Sequence, residues 1–195
     1  MVQLRALVPE VDLVSKLWKE AESLRMQCQS YLQDSPGLKE LESFLLALDG
    51  TKFNIPELNL LKQRYSGACS WASHVNSILT KLFERNDYHN IVEELTAILK
   101  DGKSLRVKVD ELPFVEKELK RSFCRKQASE ALATQMSLEF VKEILIQASI
   151  LTIEEEQPFI DLSEVLKIAT AWEEKARHML EQSASLSEFE DHIRY

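Results

Sequence analysis

The sequence predicts an all-α fold, and three observations carry the prediction. Helix breakers are scarce, with four Gly and five Pro among 195 residues, while Leu, Glu, Lys, Ala and Ser dominate, as they do in long helices. Apolar residues recur three and four positions apart in long runs, the spacing that lines one face of a helix. No stretch alternates apolar and polar residues long enough to make a strand. Leu105 to Val109 comes nearest and reads better as a connection.

The elements follow in order. Val11, Val14, Leu17, Trp18, Ala21, Leu24, Cys28, Tyr31 and Leu32 form one stripe on a long helix from about Pro9 to Gln33. Ser35 and Pro36 read as an N-cap with proline at the first helical position, opening a short helix that carries Leu38, Leu41, Leu45 and Leu48 and stops at Asp49-Gly50. A second long helix starts at Ile55-Pro56-Glu57 and runs through Leu61, Tyr65, Ala68, Trp71 and Val75 to Leu82. Asn90 and Glu93 have capping-box spacing and open a second short helix with Ile91, Leu95 and Ile98, ending at Asp101-Gly102. Long helices over about Pro113 to Ala133 and Pro158 to Glu181 flank a third short one from about Ser137 to Ser149. Leu186 to Ile193 forms a brief amphipathic tail. The predicted organisation is one helical module over 1–185 followed by the tail at 186–195.

The connections between short and long helices resemble one another. Gly50 to Glu57, Gly102 to Glu111 and Ala148 to Glu156 align, with Phe53, Leu105 and Leu151 as landmarks about fifty residues apart. The first and second long helices superpose without a gap, placing Val14 on Leu61, Trp18 on Tyr65 and Ala21 on Ala68. The fourth aligns with the second through its tryptophan, placing Leu162 on Leu61, Ala169 on Ala68, Trp172 on Trp71 and Leu180 on Leu79. The third has no tryptophan. A hairpin of this kind cannot bury its apolar stripe alone, so the expected architecture is an elongated array of about three degenerate units, stacked where small Ala residues let helices approach.

Composition narrows the function. A formal charge of −8 works against phosphate backbones and anionic lipid, so direct nucleic-acid or membrane binding is not expected. Cys28, Cys69 and Cys124 stand alone, which fits a reducing compartment, cytosol or nucleus. His74, His89, His178 and His192 have no ligand spacing, and Cys69 and His74 are five apart, off a common helical face. The glycines read as single helix stops, with no phosphate-cradling loop and no nucleophile elbow, so no small-molecule site is expected. Glu154-Glu155-Glu156 and Glu173-Glu174 read as dipole-complementing or solvated acids.

Two groups of residues are candidates for contact. Lys117, Lys120, Arg121, Arg125 and Lys126 gather five bases in ten positions, and on a helix 117, 121 and 125 stack in one stripe. The stripe either meets DNA, an acidic nucleosome surface or an acidic partner, or is a solvated face paired with Glu116, Glu118 and Glu130. Trp18, Trp71 and Trp172 fall within apolar stripes and are expected to be structural core anchors. No residue is a candidate for catalysis, cofactor binding or metal ligation.

Two further patterns carry a family resemblance. Glu94-Leu95, then Gly102, Leu105, Val107 and Glu111-Leu112, resembles the "short helix, glycine, Leu-x-Val, Glu-Leu" element of the PLU-type helical region of JARID-class JmjC histone demethylases. Ala68-x-x-Trp71, and Trp172 with Ala176 and Leu180, resemble the same region's recurring tryptophan helix. The resemblance covers about Pro9 to Glu181. It implies a non-catalytic segment of a nuclear enzyme that uses iron and 2-oxoglutarate on methylated lysine four of histone three, beside a zinc-binding finger. None of those cofactors is expected in this segment. Flanking demethylase domains or a nucleosome would be its partners. The alternatives are a spectrin-like spacer, since Trp71 and Trp172 are 101 residues apart, a generic helical adaptor, and an enzyme lobe completed by another chain.

Overall fold

The alternation of long and short apolar runs is realised as helices of matching length. The computed structural model describes residues 8–82, 85–134 and 136–181. Among them are seven helices and no strand: α1 (Val8–Gln33), α2 (Leu38–Ala47), α3 (Pro56–Leu82), α4 (Tyr88–Ser104), α5 (Leu112–Ala133), α6 (Leu138–Leu151) and α7 (Gln157–Glu181). Their lengths of 26, 10, 27, 17, 22, 14 and 25 residues alternate long and short. The tail expected at 186–193 lies outside the described residues.

Two helix starts differ from the sequence reading, each for a visible reason. Ser35-Pro36 does not open α2. The Pro36 carbonyl accepts from the Lys108 N–H and the Leu38 N–H donates to the Lys108 carbonyl, at 2.9 and 3.0 Å. This isolated parallel bridge between Gly37 and Lys108 holds the strand-like pair extended, so the helix waits until Leu38. Asn90 does not open α4 either; the helix already begins at Tyr88, the Asp87 carbonyl accepts from the Ile91 N–H, and Asn90 donates to the Asp87 carboxylate. The third short helix does start where its sequence says, with the Ser137 hydroxyl accepting from the Phe140 N–H.

The glycines also divide. Gly50 has φ +84° and ends the α2 segment as a true stop. Gly102 is no stop at all, since α4 runs through it to Ser104. It is buried against Trp71: a Cβ built there would lie 2.4 Å from the indole Cζ2 and 2.7 Å from Leu112 Cδ1. Gly102 is required here for close approach rather than for a turn.

The chain divides into two compact units, one of Met1–Asn86 with Glu93–Lys117 and one of Asp87–Val92 with Glu118–Tyr195. In the first, Leu41 and Leu45 of α2, Leu58, Leu61, Ala68, Trp71 and Val75 of α3, and Leu95 and Ile98 of α4 are buried. Val107 and Val109 of the following connection are buried too, which is why Leu105 to Val109 alternates without being a strand. In the second, Cys124, Ala128 and Ala131 of α5 pack with Val141, Ile144 and Ala148 of α6 and with Ile153, Phe159 and Leu162. Ala68, Ala128 and Ala148 are fully buried, and a small side chain at such positions lets packed helices approach.

Of the three expected core tryptophans, only Trp71 is buried, at 8% exposure, while Trp18 is 65% and Trp172 56% exposed. This corrects the core assignment for Trp18 and Trp172. Each lies among exposed residues of its own helix: residues 11–20 of α1 are exposed throughout, as are Val165, Ile168 and Leu180 of α7. A stripe position is core only where a neighbour lies over it.

Candidate interaction surfaces

The basic stripe of α5 is largely spent inside the second unit. Arg125 is only 12% exposed; its Nε and Nη2 donate to the two oxygens of Glu156 at 2.7 and 2.9 Å, and its Nη1 donates to Glu118 at 2.6 Å. Arg121 donates to the Leu151 carbonyl and the Thr152 hydroxyl at 3.2 and 3.1 Å, and also lies beside Glu118. Lys126 sits 3.8 Å from Glu130. Lys117 and Lys120 alone of the five are exposed. Sequence reasoning found Glu118 and Glu130 as partners. It missed Glu156, which lies 31 positions away on the far side of α6, and Glu116 pairs with Lys103 instead. The neighbouring carboxylates raise the Arg125 pKa further, Glu156 above all.

A related clamp ties α1 to the start of α3. The Arg25 guanidinium and the Gln29 amide both donate to one oxygen of Glu57, at 2.8 and 3.1 Å. In both units an arginine of a long helix thus reaches the acid that leads into the next but one helix, 32 positions on for Arg25 and 31 for Arg125. In the aligned connections, counting from Phe53 and Leu151 places Glu155 opposite Glu57 and leaves Glu156 one position further on, so the alignment pairs neither acid with its arginine.

The hydrogen bond from Arg25 is the largest cause holding the Glu57 carboxyl down to about 2 from its ordinary 4.5, helped by its own backbone N–H and by Gln29. Because the folded value is the lower one, this contribution to stability is whole above about 4.5 and is lost as pH falls toward 2. Glu57→Gln is therefore expected to flatten the acid limb of the stability curve across that window, measured as urea midpoints from pH 5 to pH 2.5. An unchanged slope would mean that Glu57 titrates normally.

The exposed start of α1 offers a different surface. Trp18 lines a cleft of about 640 Å³ with Ala21, Arg25, Phe53, Ile55 and Glu57. The second oxygen of Glu57, Oε2, is buried with no hydrogen-bond partner. The cleft combines aromatic walls with two bases, Arg25 and Lys52, and two acids, Glu22 and Glu57, of which Arg25 and Glu57 are engaged with each other. The lining brings no Ser, Thr or Cys side chain to the cleft.

Among the described residues no three His, Cys, Asp or Glu side chains converge, so these residues do not supply a donor set for iron or zinc. No described helix is long and apolar enough to cross a membrane. What the described surface presents is therefore helix faces, and a comparison with known proteins says whose they are. The family model described as PLU-1-like protein matches residues 33–193. The chain belongs to the PLU-1-like protein family. Over 194 residues, the whole of this PLU-1-like chain, it is 36% identical to the lysine-specific demethylase JMJ17 of Arabidopsis thaliana, and it spans 16% of that relative's length. No solved structure matches it.

Seen as a PLU-1-like region, the recurring elements named from the sequence have a structural meaning. The Ala68-x-x-Trp71 helix and the Gly102 segment are two halves of one contact, with the Trp71 Nε1 donating to the Ile98 carbonyl at 3.1 Å.

Proposed function

We propose that this PLU-1-like chain is a non-catalytic helical scaffold within a histone lysine demethylase, holding flanking catalytic and reader domains in place and presenting faces for protein partners. The observation that carries the reading is the 36% identity along the entire chain to a small part, 16%, of a lysine-specific demethylase. By the family resemblance the whole protein works in the nucleus on methylated lysine four of histone three, with iron and 2-oxoglutarate at a JmjC centre and zinc in a neighbouring finger. This segment contributes spacing and contact, and its all-helical build, with ion pairs locking α5 to the segment before α7, suits a rigid spacer.

The test uses the purified chain as bait for nuclear and cytoplasmic extracts, read by mass spectrometry, beside a turnover assay of the chain with iron, 2-oxoglutarate and a methylated histone peptide. Capture of a JmjC catalytic fragment without turnover by the chain alone is the expected result. Turnover by the chain alone, or capture of actin-associated and membrane-skeleton proteins in its place, would sink the proposal, the second restoring the spectrin-like spacer. Lys117→Glu/Lys120→Glu reverses both exposed bases of the stripe and spares the buried Arg125. It is expected to leave any nucleosome capture within about threefold, because two lysines displace few counterions. A tenfold loss would reinstate the basic stripe as a contact surface.

A further inference from the structure

Helix α6 ends on a residue that is costly in its place. Thr152 closes it in the left-handed region, at φ 56° and ψ 50°, a conformation that glycine and asparagine adopt readily and a β-branched residue does not. The α2 segment, by contrast, ends on Gly50. What threonine adds at this position is a hydroxyl. Thr152 is exposed, and its hydroxyl donates to the Leu151 carbonyl at 2.7 Å and accepts from Arg121 Nη2 at 3.1 Å. Arg121 Nε also donates to the Leu151 carbonyl, at 3.2 Å, so one guanidinium spans the end of the helix. The residues that follow are Ile153, Glu154, Glu155 and Glu156, and 152–156 form the non-helical connection between α6 and α7. Glu154 and Glu155 are exposed, while Glu156 is held by Arg125.

We infer that Thr152 is a phosphate-accepting residue for an acidophilic protein kinase, with Arg121 as the group that receives the phosphate. A kinase with a basic groove selects its substrate by the carboxylates beside the accepting hydroxyl, and Thr152 has acids two, three and four positions after it. The transfer forms a bond from Oγ1 to the γ-phosphorus of ATP and breaks that phosphorus's bond to the bridging oxygen. ADP leaves, and the hydroxyl proton passes to the kinase's catalytic base. The esterified oxygen then has no proton to donate to the Leu151 carbonyl, and the new phosphate oxygens stand within reach of the Arg121 guanidinium, which bonds phosphate with charge assistance. The added charge also lies at the carboxyl end of α6 and close in sequence to Glu154 and Glu155, both unfavourable to it. Arg121 is therefore what holds a phosphate at the helix end. Thr170 shows the contrast: it too has an acid three positions on, Glu173, but it lies inside α7 with its hydroxyl bonded to the Leu166 carbonyl at 2.8 Å. The inference rests on the connection between α6 and α7 and is independent of the demethylase reading.

The experiment incubates the purified full chain with magnesium ATP and a purified acidophilic kinase of the casein-kinase type, maps the phosphates by mass spectrometry and follows them by phosphorus NMR. Phosphate on Thr152 and none on Thr170 is expected. An unmodified Thr152, in a reaction where the same kinase phosphorylates casein, would overturn the inference. Thr152→Gly identifies the Thr152 signal by its loss, and glycine suits the left-handed turn, so this variant keeps its fold. The second ionisation of a phosphate ordinarily lies at about 6. In Arg121→Met it is expected to rise by about half a unit above its value in the unaltered chain, because a cation beside a phosphate favours the doubly charged form. Arg121→Lys, which keeps the charge and loses the fork, is expected to shift it less in the same direction. Circular dichroism checks that both variants are folded. A titration identical in all three chains would also overturn the inference, since an arginine that only supports the helix end would leave the phosphate's ionisation where it was.

Discussion

Trp71→Ala is expected to lower stability by about 3–5 kcal/mol, the usual cost of truncating a buried tryptophan and leaving a cavity, measured by chemical denaturation. The ring is 8% exposed, its N–H is spent on the Ile98 carbonyl, and Gly102 lies on its face. Trp18→Ala and Trp172→Ala, at 65% and 56% exposure, are expected to cost under about 1 kcal/mol. The three substitutions are chemically identical, so the spread isolates the effect of burial. A sister variant sharpens the argument. On helix propensity alone, Gly102→Ala inside α4 would stabilise by about 1 kcal/mol. Its Cβ would stand 2.4 Å from an indole fixed by its own hydrogen bond, and overpacking of that kind costs about 1–3 kcal/mol. The net sign is expected to be destabilising. A gain on Gly102→Ala, together with a loss below about 1 kcal/mol on Trp71→Ala, would mean that α4 does not seat on α3 as described.

Arg125→Met is the second large effect, expected to cost about 3 kcal/mol by the same measurement. The guanidinium is 12% exposed and makes three short bonds to two carboxylates, those of Glu118 and Glu156. Removing it leaves Glu156 without its fork and Glu118 with only Arg121, 3.8 Å away, as a neighbouring base. Breaking a buried pair in this way costs about 3–5 kcal/mol, and the lower end applies because Glu156 is 37% exposed and keeps part of its hydration. Arg125→Lys is expected to recover little, since an ammonium cannot bond Glu156 with a two-pronged fork. Arg25→Met, by contrast, is expected to cost under about 1 kcal/mol at neutral pH. Arg25 is 52% exposed, and water screens most of what it gains from Glu57. Equal losses for the two arginines would contradict the burial difference between the clamps.

The helices were legible because each long apolar run stays in register with a 3.6-residue period and glycine and proline are rare. The long–short order and most boundaries follow from that alone. Ser137 was legible as a cap because its hydroxyl needs only the N–H three residues on. Ser35-Pro36 was not, because a residue 72 positions beyond Pro36, Lys108, donates to its carbonyl. The five bases of α5 were legible as a stripe. That Arg121 and Arg125 turn toward the 151–156 segment was not, because Glu156 and the Leu151 carbonyl come from beyond another helix.

By itself the sequence determined the all-α class, the alternation of long and short helices, and the residues that carry the PLU-1-like resemblance, since periodicity, breakers and short motifs are local properties of the chain. Only the tertiary structure decided which tryptophan is core, which glycine is a contact and which arginine is buried. Those depend on whether another element lies over the same face, and an apolar stripe looks the same in the sequence whether it is covered, like Trp71, or open, like Trp18 and Trp172.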